Sequence, residues 1–255
     1  MSRSPVQARR DPNLGPDGGI VVTHVDADAT AGLIPVVICH GYGASADDLA
    51  SLSMPWIEQL GADASRLVFL FPDAPPLPGE MGAYGGRAWW PINMAALMEM
   101  SQSGSWEELH DHEPPGLEAA AASIAAVVRD AIDRFSPKDR RYVMGGFSQG
   151  AMATMDVTVR GDVPPPSLLF QFSGTMIARE RWSASVGERL SNTRVLQSHG
   201  RGDPVLPFSG AEALKQILEP AARSLNWIPF PGPHTIPPEA VDAAAEMLAE
   251  VTADR

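Results

Sequence analysis

Residues 142–155, "YVMGGFSQGAMATM", set a serine between two glycines, where a β-branched and aromatic run gives way to small helix formers. A strand that turns straight into a helix there holds Ser148 in a strained conformation. Gly146 and Gly150 remove the Cβ atoms that would collide in so sharp a turn. The free N–H groups of the new helix then approach the serine oxygen. The chemistry implied is nucleophilic attack by a hydroxyl. A serine hydroxyl attacks only if a base takes its proton and a carboxylate orients that base. In serine sites built on a strand–turn–helix, the acid and then the histidine follow the nucleophile along the chain.

The chain can be tested for that order. Of six histidines, only His199 and His234 follow Ser148. Seven acids lie between Ser148 and His234, and Asp203 alone falls in a loop just after a predicted strand, in "SHGRGDPVLP". Pro204 and Pro207 predict an extended path for that loop. With Asp203 as the acid, His234 is the histidine left downstream, in the Gly/Pro-rich stretch "FPGPHTIPPE". The developing oxyanion also needs donors. "CHGYG" (39–43) ends a predicted strand, and its glycines let the Tyr42 N–H point inward. The second donor is the N–H of Gln149, the residue after the nucleophile. His40 and His199 read as histidines that hydrogen-bond loops. "HDHE" (110–113) lacks partner ligands at metal-binding spacing and reads as a solvated loop.

Seven short β-rich runs would position these residues: 19–25, 34–40, 66–71, 140–146, 167–174, 193–200 and 225–230. Several are almost continuously apolar, as in parallel strands buried on both faces. Helical patterns fall between them, near 46–60, 149–160, 209–222 and 238–250. The clearest is 116–135, with Leu117, Ala121, Ile124, Val128, Ala131 and Phe135 at three- and four-residue intervals. The alternation predicts an α/β fold with a mostly parallel central sheet covered by helices on both faces.

Residues 72–116 break the rhythm. A connection of that length reads as a lid-like or pocket-forming insertion. Pro91 forces Trp90 into extended backbone, and neighbouring side chains of an extended segment point to opposite faces. One of Trp89 and Trp90 is therefore expected to pack on the domain and the other to face the serine cleft. Tyr84, Phe147 and Leu206 complete the candidates for substrate contact.

The chain has 255 residues, 44% apolar and 20% charged, and a formal charge of −12. One domain over 19–255 is expected behind a disordered polar tail at 1–18. The negative balance excludes nucleic-acid binding, which needs a basic face to displace counterions. Cys39 is the single cysteine, so no internal disulfide forms. The tandem arginine near the start has no apolar core behind it, and no run approaches membrane-spanning length. No stable membrane insertion is expected, and the cytoplasm is the expected compartment.

"HGYG", "FPDAP", "WWPI", "GGFSQGAM", "GDPVLP" and "PGPHTIPPE" occur here in the order seen in the phospholipase/carboxylesterase family, which the chain resembles over about 33–252. The resemblance implies an α/β-hydrolase fold and hydrolysis of a small-molecule carboxylic ester or thioester without a cofactor. It implies Ser148, Asp203 and His234 as a triad and the Tyr42 and Gln149 amides as the oxyanion hole. A carboxylesterase is the broad expectation; a lysophospholipase or an acyl-protein thioesterase is the alternative. The pattern neither requires nor forbids a homodimer. A reading from another class is a non-catalytic binding protein on the same fold. Such proteins typically lose a triad member, and none is missing here.

Overall fold

A computed structural model of the chain describes residues 5–28, 30, 32–93, 106–136 and 138–253. Residues 94–105, the middle of the expected insertion, lie outside the described residues. Among the described residues, eight strands form one sheet: β1 (Val6–Asp11), β2 (Gly19–His24), β3 (Ile34–Cys39), β4 (Leu67–Pro72), β5 (Val143–Phe147), β6 (Leu168–Phe172), β7 (Arg194–Gly200) and β8 (Ser224–Phe230). Their order is β1-β2-β4-β3-β5-β6-β7-β8. The β1–β2 and β2–β4 pairs are antiparallel, and every later pair is parallel. The seven expected runs all became strands.

The helices are α1 (Ala46–Ala50), α2 (Ser53–Leu60), α3 (Gly79–Ala83), α4 (Trp106–Asp111), α5 (Leu117–Phe135), α6 (Gln149–Arg160), α7 (Arg179–Leu190), α8 (Phe208–Ala221) and α9 (Pro238–Ala253). Two cores form because β3 to β7 are apolar on both faces. On one face α5, α6, α7 and α8 bury Ile124, Val128, Met155, Trp182 and Leu214. On the other, α2 and α9 bury Trp56, Ile57, Ala244 and Leu248. The Trp56 ring stacks 5.8 Å from Phe69, and its Nε1–H donates to the Val241 carbonyl at 3.0 Å, which ties α2 to α9.

Three expectations need correction. The first concerns the tail: residues 6–11 pair in register with β2, from Val6↔His24 to Asp11↔Gly19. Leu14 is buried in the core and Arg10 donates to Asp73 at 2.7 Å. "VQARRD" looks like a tail because an edge strand can leave most side chains in water. The second is α7, which sequence reading passed over. Its buried residues are only Trp182, Val186 and Leu190, a four-residue spacing too sparse to stand out among charges. The third is 110–113: His110 is buried inside α4, with Nδ1 2.8 Å from the Arg179 guanidinium. His112 is exposed, as a solvated loop requires.

Candidate active site

Four loops meet beyond the carboxyl ends of the parallel strands, where open α/β sheets place their sites. The first carries Ser148, between β5 and α6, at φ 56° and ψ −119°. This left-handed region is costly for a residue with a Cβ. The surroundings impose it: the Ser148 N–H donates to the Phe172 carbonyl at 2.9 Å, and its carbonyl accepts from Met152 at 3.1 Å. A Cβ on Gly146 would lie 2.4 Å from the carbonyl carbon of Gly150, and one on Gly150 only 2.1 Å from the Cys39 oxygen. Gly146 is therefore obligatory for the tight β5–α6 turn, and Gly150 for helix α6 to start so close to the end of β3.

The acid loop leaves β7. The Asp203 Oδ1 accepts the N–H groups of Val205 and Leu206 at 2.8 and 2.9 Å. The loop turns back on the carboxylate instead of running extended between its prolines. A hydrogen-bonding carboxylate outweighed the stiffness of Pro204 and Pro207. The Asp203 Oδ2 lies 2.6 Å from the His234 Nδ1. Burial works against charge on Asp203, but the bonds from His234, Leu206 and Val205 prevail and hold its carboxyl below the ordinary range. Asp203 is ionised at neutral pH.

That carboxylate fixes the tautomer of His234. Its Nδ1 must carry the proton donated to Asp203, which leaves Nε2 as a free base. The histidine loop is pinned from several sides. Arg201 N–H donates to the Phe230 carbonyl at 2.8 Å and Gly202 N–H to the Gly232 carbonyl at 3.0 Å. The Ser173 hydroxyl donates to the Thr235 carbonyl at 2.9 Å. The Phe147 ring packs 4.8 Å from the His234 ring, joining the residue before the serine to the base.

His199 is fully buried, with Nε2 2.9 Å from the Leu206 carbonyl and 3.3 Å from Asp203 Oδ2. Burial lowers its pKa; the neutral ring places its Nε2–H on the acid loop. His40 likewise holds a loop. Its Nε2 accepts the Ala74 N–H at 3.1 Å, so Nδ1 carries the proton and donates to the Gly41 carbonyl at 2.8 Å. Burial lowers its pKa also.

Residues 40–44 pass beside the nucleophile. A Cβ on Gly41 would meet the Ser148 Cβ at 3.3 Å. Gly43 and Ala44 amides bond the Arg87 and Gly41 carbonyls. Gln149 opens α6, where the first N–H groups have no intrahelical acceptor, and Tyr42 lies between Gly41 and Gly43 in the loop beside Ser148. A cleft of about 350 Å³ opens next to His234, with Leu49, Leu52, Phe147 and Ile236 on its walls.

Of the substrate-contact candidates, Phe147 lines this cleft and the others do not. Trp89 and Trp90 are both buried in the core, and neither lines the cleft. The chain bends at Trp89 and Trp90 instead of running extended, and both side chains enter the same core. Trp89 packs 5.3 Å from the His40 ring, and Trp90 adjoins Gly116 at the start of α5. Tyr84 ends α3 at 90% exposure and stands clear of the cleft. Leu206 is buried, and its contribution is the amide given to Asp203. Sequence reading also missed the Gln149 side chain, whose polarity at a fully buried helix start was the available signal.

With the geometry described, comparison with known proteins is informative. The phospholipase/carboxylesterase family model matches residues 22–252. The acyl-protein thioesterase 1 of Debaryomyces hansenii is 24% identical over 243 residues, covering 91% of this chain and 94% of that protein. That of Kluyveromyces lactis is 27% identical over 188 residues, covering 72% and 75%. The crystal structure of esterase PE8 superposes with a TM-score of 0.67 at 25% identity, covering 95% of this chain and 99% of that one. Zea mays acyl-protein thioesterase 2 shares the fold, with a TM-score of 0.61 at 19% identity, covering 97% and 98%.

Proposed function

The chain belongs to the phospholipase/carboxylesterase family, and from that premise we propose that it hydrolyses carboxylic esters through an acyl-enzyme on Ser148. The observation that carries this reading is the 2.6 Å bond between Asp203 Oδ2 and His234 Nδ1, beside a serine held in the left-handed region. The Ser148 oxygen attacks the ester carbonyl carbon as His234 Nε2 takes its proton. The carbonyl oxygen becomes an oxyanion and accepts from the Tyr42 and Gln149 amides. Collapse breaks the carbon–oxygen bond, and the leaving alcohol takes the proton from His234. Water repeats the sequence on the acyl-serine, releasing the acid and restoring Ser148.

The cleft's Leu49, Leu52, Phe147 and Ile236 support a neutral acyl or aryl group, and Asp48 on the same wall disfavours an anionic one; each buried methylene adds about 0.8 kcal/mol. The names of the curated relatives support a thioester as a second substrate class, since a thiol leaves by the same steps. No helix among the described residues is long and apolar enough to cross a membrane, and we place the activity in the cytoplasm. The test is a p-nitrophenyl ester series from two to sixteen carbons beside an acyl-thioester, with fluorophosphonate labelling. The Ser148→Ala variant should lose both hydrolysis and the label while keeping its fold. A variant that still labels at one site would show that another serine is the nucleophile.

A further inference from the structure

We propose that residues 87–90 form a strut that holds the two oxyanion donors in register, with Trp89 and the Gln149 carboxamide as positioning residues. This rests on the reading of the Tyr42 and Gln149 amides as those donors. The donors come from different loops, one after β3 and one after β5, and a rigid hole requires a brace between them.

The brace is a continuous set of buried hydrogen bonds. On the β5 side, the Gln149 Oε1 accepts the Trp89 N–H at 3.0 Å and its Nε2 donates to the Trp90 carbonyl at 2.8 Å. The carboxamide is thus clamped at both ends onto the backbone of two consecutive residues. On the β3 side, the Trp89 Nε1–H donates to the His40 carbonyl at 2.8 Å. Arg87 bonds the same loop in both directions: Gly43 N–H donates to the Arg87 carbonyl at 2.8 Å and Arg87 N–H to the Ala44 carbonyl at 3.1 Å. Arg87 is itself held, its guanidinium donating to the Ala74 carbonyl at 2.7 Å and lying 3.5 Å from Asp73. Asp73 also accepts the Ala46 N–H at 2.8 Å, so the far end of the donor loop is tied to the same anchor.

Gln149 is fully buried, and His40, Trp89 and Trp90 nearly so. Water cannot replace these bonds, and each partner lost leaves a buried polar group unpaired. The Gln149 clamp and the Trp89 indole therefore act on the chemistry through the placement of two N–H groups without touching substrate. The paired tryptophans serve the oxyanion from behind the site instead of forming its acyl wall.

The experiment uses the full chain with Trp89→Phe, which keeps the ring but removes its N–H, and Gln149→Met, which keeps length but removes both clamp bonds. Each variant is assayed about ten degrees below its own melting midpoint. Removing an oxyanion donor outright costs about 100- to 1,000-fold in kcat, so misplacing one should cost about 10- to 100-fold. KM for p-nitrophenyl butyrate should stay within about twofold. Affinity for a trifluoromethyl ketone, whose serine adduct carries the oxyanion, should fall in step with kcat, whereas affinity for the matching methyl ketone should hold. Tyr84→Ser, exposed and outside the strut, should leave all four values unchanged. Wild-type kcat and ketone affinity in both folded variants would overturn the strut. If Trp89→Phe does not fold, Gln149→Met decides alone, by the same criteria. An unmodified enzyme that neither hydrolyses esters nor labels at Ser148 would instead overturn the functional reading.

Discussion

Replacing Asp203 with asparagine changes one atom and should remove almost all activity, for a reason visible in its hydrogen bonds. One carboxylate oxygen accepts two backbone amides, from Val205 and Leu206, at 2.8 and 2.9 Å. The other accepts from His234 Nδ1 at 2.6 Å. A carboxamide has one oxygen and one NH2 group. Its oxygen must stay with the two amides, because an NH2 there would face two donors. The NH2 therefore faces His234 and forces Nδ1 to accept, which moves the imidazole proton to Nε2. A protonated Nε2 cannot take the serine proton. In serine proteases, loss of the correct tautomer lowers kcat about ten-thousand-fold, which at about 1.4 kcal/mol per decade is about 5 kcal/mol of transition-state stabilisation. Steady-state hydrolysis of p-nitrophenyl acetate measures kcat, the rate of fluorophosphonate labelling reads the nucleophile directly, and thermal melting confirms the fold. Because Asp203 is held below the ordinary carboxyl range, its own titration should not touch the rate above about pH 4. An Asp203→Asn enzyme within tenfold of wild-type kcat would refute the tautomer argument.

Ser148→Gly should raise the melting temperature while abolishing activity, since glycine accepts φ 56° and strain at such a residue costs about 1–3 kcal/mol; an unchanged or lower midpoint counts against stored strain. Gly150→Ala should do the opposite and melt several degrees lower, because its Cβ would fall 2.1 and 2.5 Å from the Cys39 and His40 oxygens, and neither backbone can yield without moving a donor loop. Stability should also decline as pH falls below about 6.5. Burial depresses the folded pKa values of His40 and His199, so between those values and about 6.5 the unfolded chain binds more protons. Their contribution is complete above about pH 6.5 and is lost as pH drops toward the folded values; urea midpoints equal at pH 7.5 and 5 would contradict it.

Much of this was legible in residue order, because it depends on local rules. The period of apolar residues marks each buried strand of the parallel sheet, and the strand–turn–helix around Ser148 follows from glycine sterics. The order of serine, acid and histidine is a matter of counting. Other features depend on which surfaces meet in space, and no period encodes that. Strand β1 needs only β2's edge, so its charged residues carry no apolar signature. Pro91 suggested an extended pair at Trp89 and Trp90; tertiary packing bent the chain there and buried both rings, one against His40 and one against the start of α5. Asp203's turn won over two prolines because its carboxylate could capture two amides and an imidazole arriving 31 residues later. The same holds for Gln149. Its backbone amide is assigned by position beside the nucleophile, while its side chain acquires a role only because the fold lays a segment 59 to 60 residues distant across it. Local chemistry chose the reactive groups, and long-range burial chose what holds them still.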